Sequence, residues 1–442
     1  MYGHSALSRL AACALAGFIL LLPFGAQAGQ SYTLKAAVET ALERNFTVKA
    51  AEEGYKGAQA GTRSQRGAFG PVLGTRYDYD RRQHGVSNAG RAQDKELFTW
   101  RVYLSQNVFA GFATLADYQQ AALREDSAKQ GVRQARLELI RIVQENFFIY
   151  LRAKQDVVSA RDALGRLQSQ LASSQAFYDV GVSPRIDVLQ AEVDVSAAES
   201  ALLVAENTMQ SQKARLNTLL LLPLEAKVEY TGQLGYISFS RSLDDCLNQA
   251  YRLRPDLIMA EKSVQIAEKD ITKAKSAFYP QVSASTAWGT SGSDARAAGS
   301  PNTKPHYSEW TVNMAAEWQV FEWGRTLNDV RRAGHEKGRV QAEANNLRQE
   351  VGFMVKVRIL AMDEAAKRIK VAEKGVEQAA EAYRMADARY RQQVGTMTDV
   401  LDAQSKLSQA EAALAEARSD YSIALSSLYV AIGEENPALK TQ

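Results

Sequence analysis

Residues 309–320 read EWTVNMAAEWQV, and the alternation in this stretch decides the architecture. In an extended chain Trp310, Val312, Met314, Ala316, Trp318 and Val320 fall on one side. Glu309, Thr311, Asn313, Ala315, Glu317 and Gln319 fall on the other. Period two with unlike faces is the signature of a β-strand. Three further stretches repeat it. Phe98, Trp100, Val102 and Leu104 alternate with Thr99, Arg101, Tyr103 and Ser105. After Pro71, Leu73, Thr75, Tyr77 and Tyr79 oppose Gly74, Arg76, Asp78 and Asp80. After Pro280, Val282, Ala284, Thr286 and Trp288 oppose Ser283, Ser285 and Ala287. The pattern predicts strands at about 72–80, 97–106, 281–289 and 309–321. Their lengths suit the roughly 9–11 residues with which a tilted strand crosses a bilayer.

The five tryptophans, Trp100, Trp288, Trp310, Trp318 and Trp323, all lie in or beside these strands. An aromatic belt at a membrane–water boundary requires that placement. A soluble sandwich with an ordinary core is the competing reading of the alternation alone. Polar loops at 81–96 and 289–308 join the strands in pairs and read as solvated hairpin tips. His84 and His306 sit in these loops and read as surface residues rather than metal ligands.

Working outward, the chain is written twice. Leu34, Ala41 and Asn45 precede Leu243, Ala250 and Arg254 by 209 residues, and Ala68-Phe69-Gly70-Pro71 precedes Ala277-Phe278-Tyr279-Pro280 by the same interval. Beyond the loops the interval is 212, pairing Phe109 with Phe321, Tyr178 with Tyr390 and Asp187-Val188-Leu189 with Asp399-Val400-Leu401. Each half predicts two short helices, two strands and two very long helices joined by a tight turn. Residues 29–222 form the first repeat, with long helices at 112–177 and 187–222. Residues 244–432 form the second, with long helices at 326–390 and 399–432. The connecting segment 223–243 and the tail 433–442 complete the mature chain.

No proline interrupts 112–183 or 327–435. A helix over 112–177 spans on the order of 100 Å at 1.5 Å per residue. The returning helices carry strict heptads: Val188, Val195, Leu202, Met209, Leu216 in the first, and Val400, Leu407, Leu414, Tyr421, Leu428 in the second. Ala403, Ala410, Ala417, Ala424 and Ala431 follow the latter by three residues each. A seven-residue repeat describes a coiled-coil seam, and small alanines let the backbones approach. A soluble periplasmic coiled-coil scaffold or adaptor protein would show the same helices and is the runner-up reading.

The opening residues 1–28 predict a cleaved leader: a weakly basic start, an apolar run over 10–24 and a small-residue cleavage signal ending at Ala28. Cys13 precedes the end of the apolar run, which argues against a lipid anchor there. The mature chain then keeps Cys246 alone, so no intrachain disulfide and no cysteine-built zinc site is expected. Cys246 corresponds to Ala37 in the other half and reads as a small core residue. The formal net charge of +3 becomes about +2 on loss of Arg9, which argues against a nucleic-acid partner. The phosphate-binding Gly-rich run and His-Glu-x-x-His motifs are absent, and no nucleophile–base set is suggested. The expectation is a non-enzyme with no cofactor and no metal.

Four strands make an open sheet with two edges, and edge N–H and C=O groups have no partner in lipid. Several chains must therefore share one barrel. Eight strands would be filled by their own side chains, whereas the twelve from three chains leave a lumen.

The duplicated layout, the Ala-Phe-x-Pro entries to the strands, Phe321-Glu322-Trp323-Gly324-Arg325 and Tyr390…Gly395…Asp399-Val400-Leu401-Asp402-Ala403 resemble the TolC family of outer-membrane efflux and secretion channels. The resemblance covers nearly the whole mature chain. It implies a homotrimer with a twelve-stranded barrel in outer-membrane lipid and a long α-helical tunnel across the periplasm. It implies a periplasmic adaptor (membrane fusion) protein and an inner-membrane ABC, RND or MFS transporter, in tripartite efflux or type I secretion. Segments 225–243 and 433–442 would belt the tunnel. Carried over by position, Asp399 and Asp402 match an acidic periplasmic gate, and Asp187 and Tyr390 match members of the closing network. Gly395 stands where family members often place arginine, with Arg185 or Arg391 as substitutes. The same aspartates have a simpler reading, Asp187 and Asp399 as helix N-caps and Asp402 paired with Lys406.

Overall fold

The computed structural model describes residues 31–81, 96–292, 295 and 307–436. The leader, the tail beyond 436, and most of the two strand-joining loops with His84 and His306 lie outside the described residues.

In chain order the elements are β1 (Ser31–Tyr32), α1 (Leu34–Arg44), α2 (Phe46–Gly67), β2 (Val72–Arg81), β3 (Glu96–Ala110), α3 (Ala113–Asp179), α4 (Arg185–Leu219), β4 (Glu229–Tyr230), α5 (Leu243–Leu253), α6 (Pro255–Lys275), β5 (Gln281–Gly292), β6 (Tyr307–Glu317), α7 (Arg325–Arg391) and α8 (Met397–Ala431). Local chemistry sets the boundaries. The Asn45 side chain accepts from the Thr47 amide at 2.8 Å and opens α2. Ser242 and Asp245 form a capping box at α5, and Pro255 occupies the first turn of α6, where its missing N–H costs nothing.

The duplication is carried by the backbone as well as by the sequence. Helices α3 and α7 are both 67 residues long, and α4 and α8 are both 35. Among the described residues, the left-handed positions form four pairs 212 apart: Gly111 with Trp323, Phe112 with Gly324, Gly181 with Gln393, and Leu221 with Gly433. Each pair marks the same event, two residues turning a strand into a long helix or one residue ending a helix. At Gly111 the close approach is absolute, since a Cβ there would lie 2.3 Å from the Ser276 carbonyl oxygen.

The long helices form two hairpins, α3 with α4 and α7 with α8, joined where α8 lies against α3. Helix α2 packs on α3, and α6 packs between α3 and α7. Two apolar cores lie midway along α3 and α7, where α4 and α8 end. One gathers Val143, Phe147, Leu216 and Tyr230. The other gathers Cys246, Val351, Val355, Tyr421 and Leu428. Segment 223–243 seals both. Tyr230 donates to Asn217 Oδ1 at 2.7 Å, and Tyr421 donates to the Ile237 carbonyl. Burial holds the Tyr421 hydroxyl neutral, its pKa pushed up to about 12.

Strands β2-β3-β5-β6 form one antiparallel sheet in that order, leaving β2 and β6 as its edges. Strand β6 ends at Glu317, short of the boundary near 321 that the alternation predicts. Its counterpart β3 runs on to Ala110 because β5 lies alongside as far as Gln281. Residues 318–321 have no such neighbour among the described residues, and an isolated extended segment gains nothing from its alternation.

Candidate functional site

The register sorts every strand residue onto one of two faces. Thr75, Val102, Trp288 and Trp310 stand in one row across the sheet, and Leu73, Leu104, Thr286 and Val312 in another. This face is apolar and uncovered: Trp310, Val312 and Met314 are 74%, 71% and 72% exposed. The opposite face carries Arg76, Arg101 and Glu309 in one row, with Asp78, Asn107, Asn313 and Glu317 in others. Beyond Gln281 at its start, strand β5 contributes Ser283, Ser285, Ala287, Gly289 and Ser291 to that polar face, so it adds little bulk there. Tyr103 lies flat across Gly74, where a Cβ would be 2.4 Å from its ring. Arg76 and Arg101 are direct cross-strand partners, and Arg76 is held by Asp78 at 2.8 Å.

Aromatic residues mark two levels of the apolar face. Trp100 and Trp288 meet edge-on at 5.7 Å, with Tyr77, Tyr79 and Phe98 beside them. At the other end Phe109, Phe112 and Tyr279 form a mutual edge-on cluster, and Phe321 meets Trp323 edge-on at 4.9 Å. Trp318 donates to the Phe278 carbonyl there at 3.1 Å. Trp288 lies six residues from Val282 at the lower level, which is about 20 Å along a strand.

The far ends of the hairpins hold the other predicted residues. Tyr390, the last-turn tyrosine of α7, is buried beside Met397, Val400 and Ala191. Its hydroxyl lies 3.1 Å from Ser174 Oγ on α3, and its ring meets Phe177 at 5.7 Å. Tyr390 therefore ties one hairpin to the other. Asp399 is the third residue of α8 and half of a capping box: the Thr396 amide donates to it at 3.0 Å, and its own amide donates to Thr396 Oγ1 at 3.2 Å. The Thr396 hydroxyl, followed by the Thr396 backbone, holds the Asp399 carboxyl below its ordinary range. Asp187 occupies the equivalent position of α4 and accepts from Ser183 Oγ at 2.7 Å. Neither aspartate is an N-cap; Pro184 and Thr396 are. Asp402 is exposed one turn further on, and among the described residues no ion pair joins it to Lys406.

The arginine positions differ from expectation. Arg391 pairs with Asp387 at 3.0 Å, and Arg185 is exposed without an ion pair among the described residues. Arg389 is the one that folds back over the turn, donating to the Val394 carbonyl at 3.4 Å and adding its charge to the field at Asp399. Only the turn conformation brings it there, since Gln393 adopts φ 60° and reverses the chain onto it.

A sheet with one greasy face and one polar face, set on tunnel-length helices, defines a membrane channel protomer. The family described as outer membrane efflux protein matches residues 37–220 and 246–434, most of the chain and both repeats. The chain belongs to this family, the TolC-like channels. It is an outer-membrane efflux channel protein with a periplasmic helical extension, a non-enzymatic component of export systems whose members work as trimers within tripartite assemblies. It is 22% identical to the outer membrane protein OprJ of Pseudomonas aeruginosa over 412 residues, covering 90% of this chain and 84% of that one. It is 22% identical to the outer membrane protein TolC of Vibrio cholerae over 370 residues, covering 81% and 79%. The crystal structure of VceC from Vibrio cholerae shares the fold with a TM-score of 0.78 at 20% identity, covering 91% of this chain and 96% of that one.

Proposed function

We propose that three copies of this chain close a twelve-stranded barrel and act as a passive conduit, gated at the periplasmic end of the helices. The observation that carries this reading is the open sheet: among the described residues it has two unpaired edges beside an uncovered apolar face. Lipid tolerates that face and not those edges, so neighbouring sheets must join. The two aromatic levels, with Trp100, Trp288 and Trp310 at one and Trp318 and Trp323 at the other, serve as the interfacial belts of the barrel. Segments 223–243 and 433–436 belt the helical part. A periplasmic adaptor protein joins the conduit to an inner-membrane ABC, RND or MFS transporter, which selects the cargo.

The gate consists of Asp399 and Asp402 around the mouth, with Asp187 beside them and Tyr390 holding the hairpins together. Three copies of each carboxylate in a narrow ring focus a negative field and favour cations. In planar bilayers the Asp399→Ala/Asp402→Ala channel is expected to lose several-fold in cation-over-anion permeability. Unchanged reversal potentials would remove both residues from the gate. A single-subunit mass in detergent, with the sheet intact, would dispose of the conduit itself.

A further inference from the structure

The duplication supplies the register of a joint that a single chain cannot display. Residues of β2 map onto β5 by 209 and residues of β3 onto β6 by 212. The strand pairings test the sum of these two intervals, and the left-handed pairs Gly111 with Trp323 and Phe112 with Gly324 fix the second at 212. Val72 opposite Ser105 maps onto Gln281 opposite Glu317, and Arg81 opposite Glu96 maps onto Thr290 opposite Ser308. Both mapped pairs are observed. The remaining contact within the chain, β3 on β5, joins the second strand of one repeat to the first strand of the next. In a closed ring of three chains, β6 must meet β2 of the neighbour in that same relation.

Resting on the trimeric reading above, we infer that β6 pairs with the neighbouring copy's β2 in the β3–β5 register, placing Glu317 directly opposite Arg76 of the neighbouring copy. Ser105 opposite Ser285 is the pair within the chain that maps onto it. The neutral serine pair thus becomes a carboxylate and a guanidinium, and both lie on the polar face. Opposite charges at directly opposed positions stabilise an antiparallel pair, and like charges there destabilise it. Arg76 gains from this partner, because within its own chain it stands directly opposite Arg101, and Asp78 is the one ion-pair partner it has among the described residues. On the apolar face the same register sets Ala316 against the neighbour's Tyr77 and Met314 against its Tyr79, small or pliant side chains against large rings. The inference also accounts for the early end of β6. The β3 segment that runs on beside β5 to Ala110 maps onto 318–322, which becomes strand once the neighbour arrives.

The test is disulfide formation in the full-length protein carrying Cys246→Ala. Ala315→Cys with Asp78→Cys places two thiols at directly opposed positions, within the roughly 4.4–6.8 Å Cα span that a disulfide accepts. Ala315→Cys with Arg76→Cys or with Asp80→Cys lies two residues out of register and outside that span. The first pair is expected to give covalent trimers under mild oxidation, and the two control pairs at least several-fold less. In parallel, Glu317→Arg and Arg76→Glu are each expected to shorten the survival of the trimer in hot detergent, and the double exchange to restore it. A native-mass trimer that crosslinks preferentially through a control pair overturns the register and leaves the trimer standing. A particle that is never trimeric overturns both.

Discussion

The turn between α3 and α4 and the turn between α7 and α8 share a backbone and differ in most of what is attached to it. Gly181 and Gln393 hold the same left-handed position, at φ 78° and 60°. In the first turn Val180, Val182 and Ile186 are exposed, Tyr178 is about half-exposed, and Pro184 caps α4 without a side-chain bond. In the second, Tyr390 is buried between the hairpins and Thr396 caps α8 reciprocally with Asp399. After duplication, backbone geometry is held by both copies because both tips must reverse a long helix in the same few residues. Side chains are free to specialise, one tip towards a sticky outer surface and the other towards an internal latch.

The largest way to break this contrast is at the tyrosines. Tyr390→Ala removes a buried ring and strands the Ser174 hydroxyl, a loss of about 3 kcal/mol in local packing. Tyr178→Ala should fall within about 0.5 kcal/mol, as surface changes do. Amide hydrogen exchange at the ends of α7 and α8 measures both, and equal protection in the two variants would erase the distinction. A smaller effect is expected at the left-handed positions. Gln393→Gly relieves a strained backbone and Gly181→Ala imposes one, each about 1 kcal/mol and of opposite sign. Thermal dissociation of the detergent-solubilised protein should rank them Gln393→Gly, parent, Gly181→Ala.

The smallest effect concerns acid. Asp399 is held below its ordinary range by Thr396, so the capping contribution is complete above the unfolded value and is lost only as pH falls through the lower folded value. In an Asp402→Ala background, Thr396→Val should move the acid loss of cation selectivity upward, towards 3.8, the ordinary aspartate value. An unmoved midpoint would mean that the Thr396 hydroxyl does not tune the gate.

Much of this molecule was legible in its residues. Alternation located all four strands of the sheet, because each strand has one lipid-facing and one duct-facing side and so a clean period. The 212-residue interval aligned both tips, and heptads such as Val400, Leu407 and Tyr421 marked residues that are buried. What escaped depended on objects that a linear pattern does not contain. The alternation runs past Glu317, but pairing stops there because the partner strand belongs to another copy. Phe112 and Trp323 adopt left-handed backbone beside glycines, a choice set by strand-to-helix geometry rather than by their side chains. Arg389 reaches the second turn only after the chain has reversed, so the resemblance offered Arg185 or Arg391 in its place, and Arg391 is held by Asp387.

The equal lengths of α3 and α7 have a cost in evolution. Deleting one residue from either would draw its tip back by about 1.5 Å and swing it by about 100° around the helix axis. One of the two tips would then sit out of level and face the wrong way. The halves of this gene can therefore change length only in concert, which makes each repeat the ruler against which the other is measured.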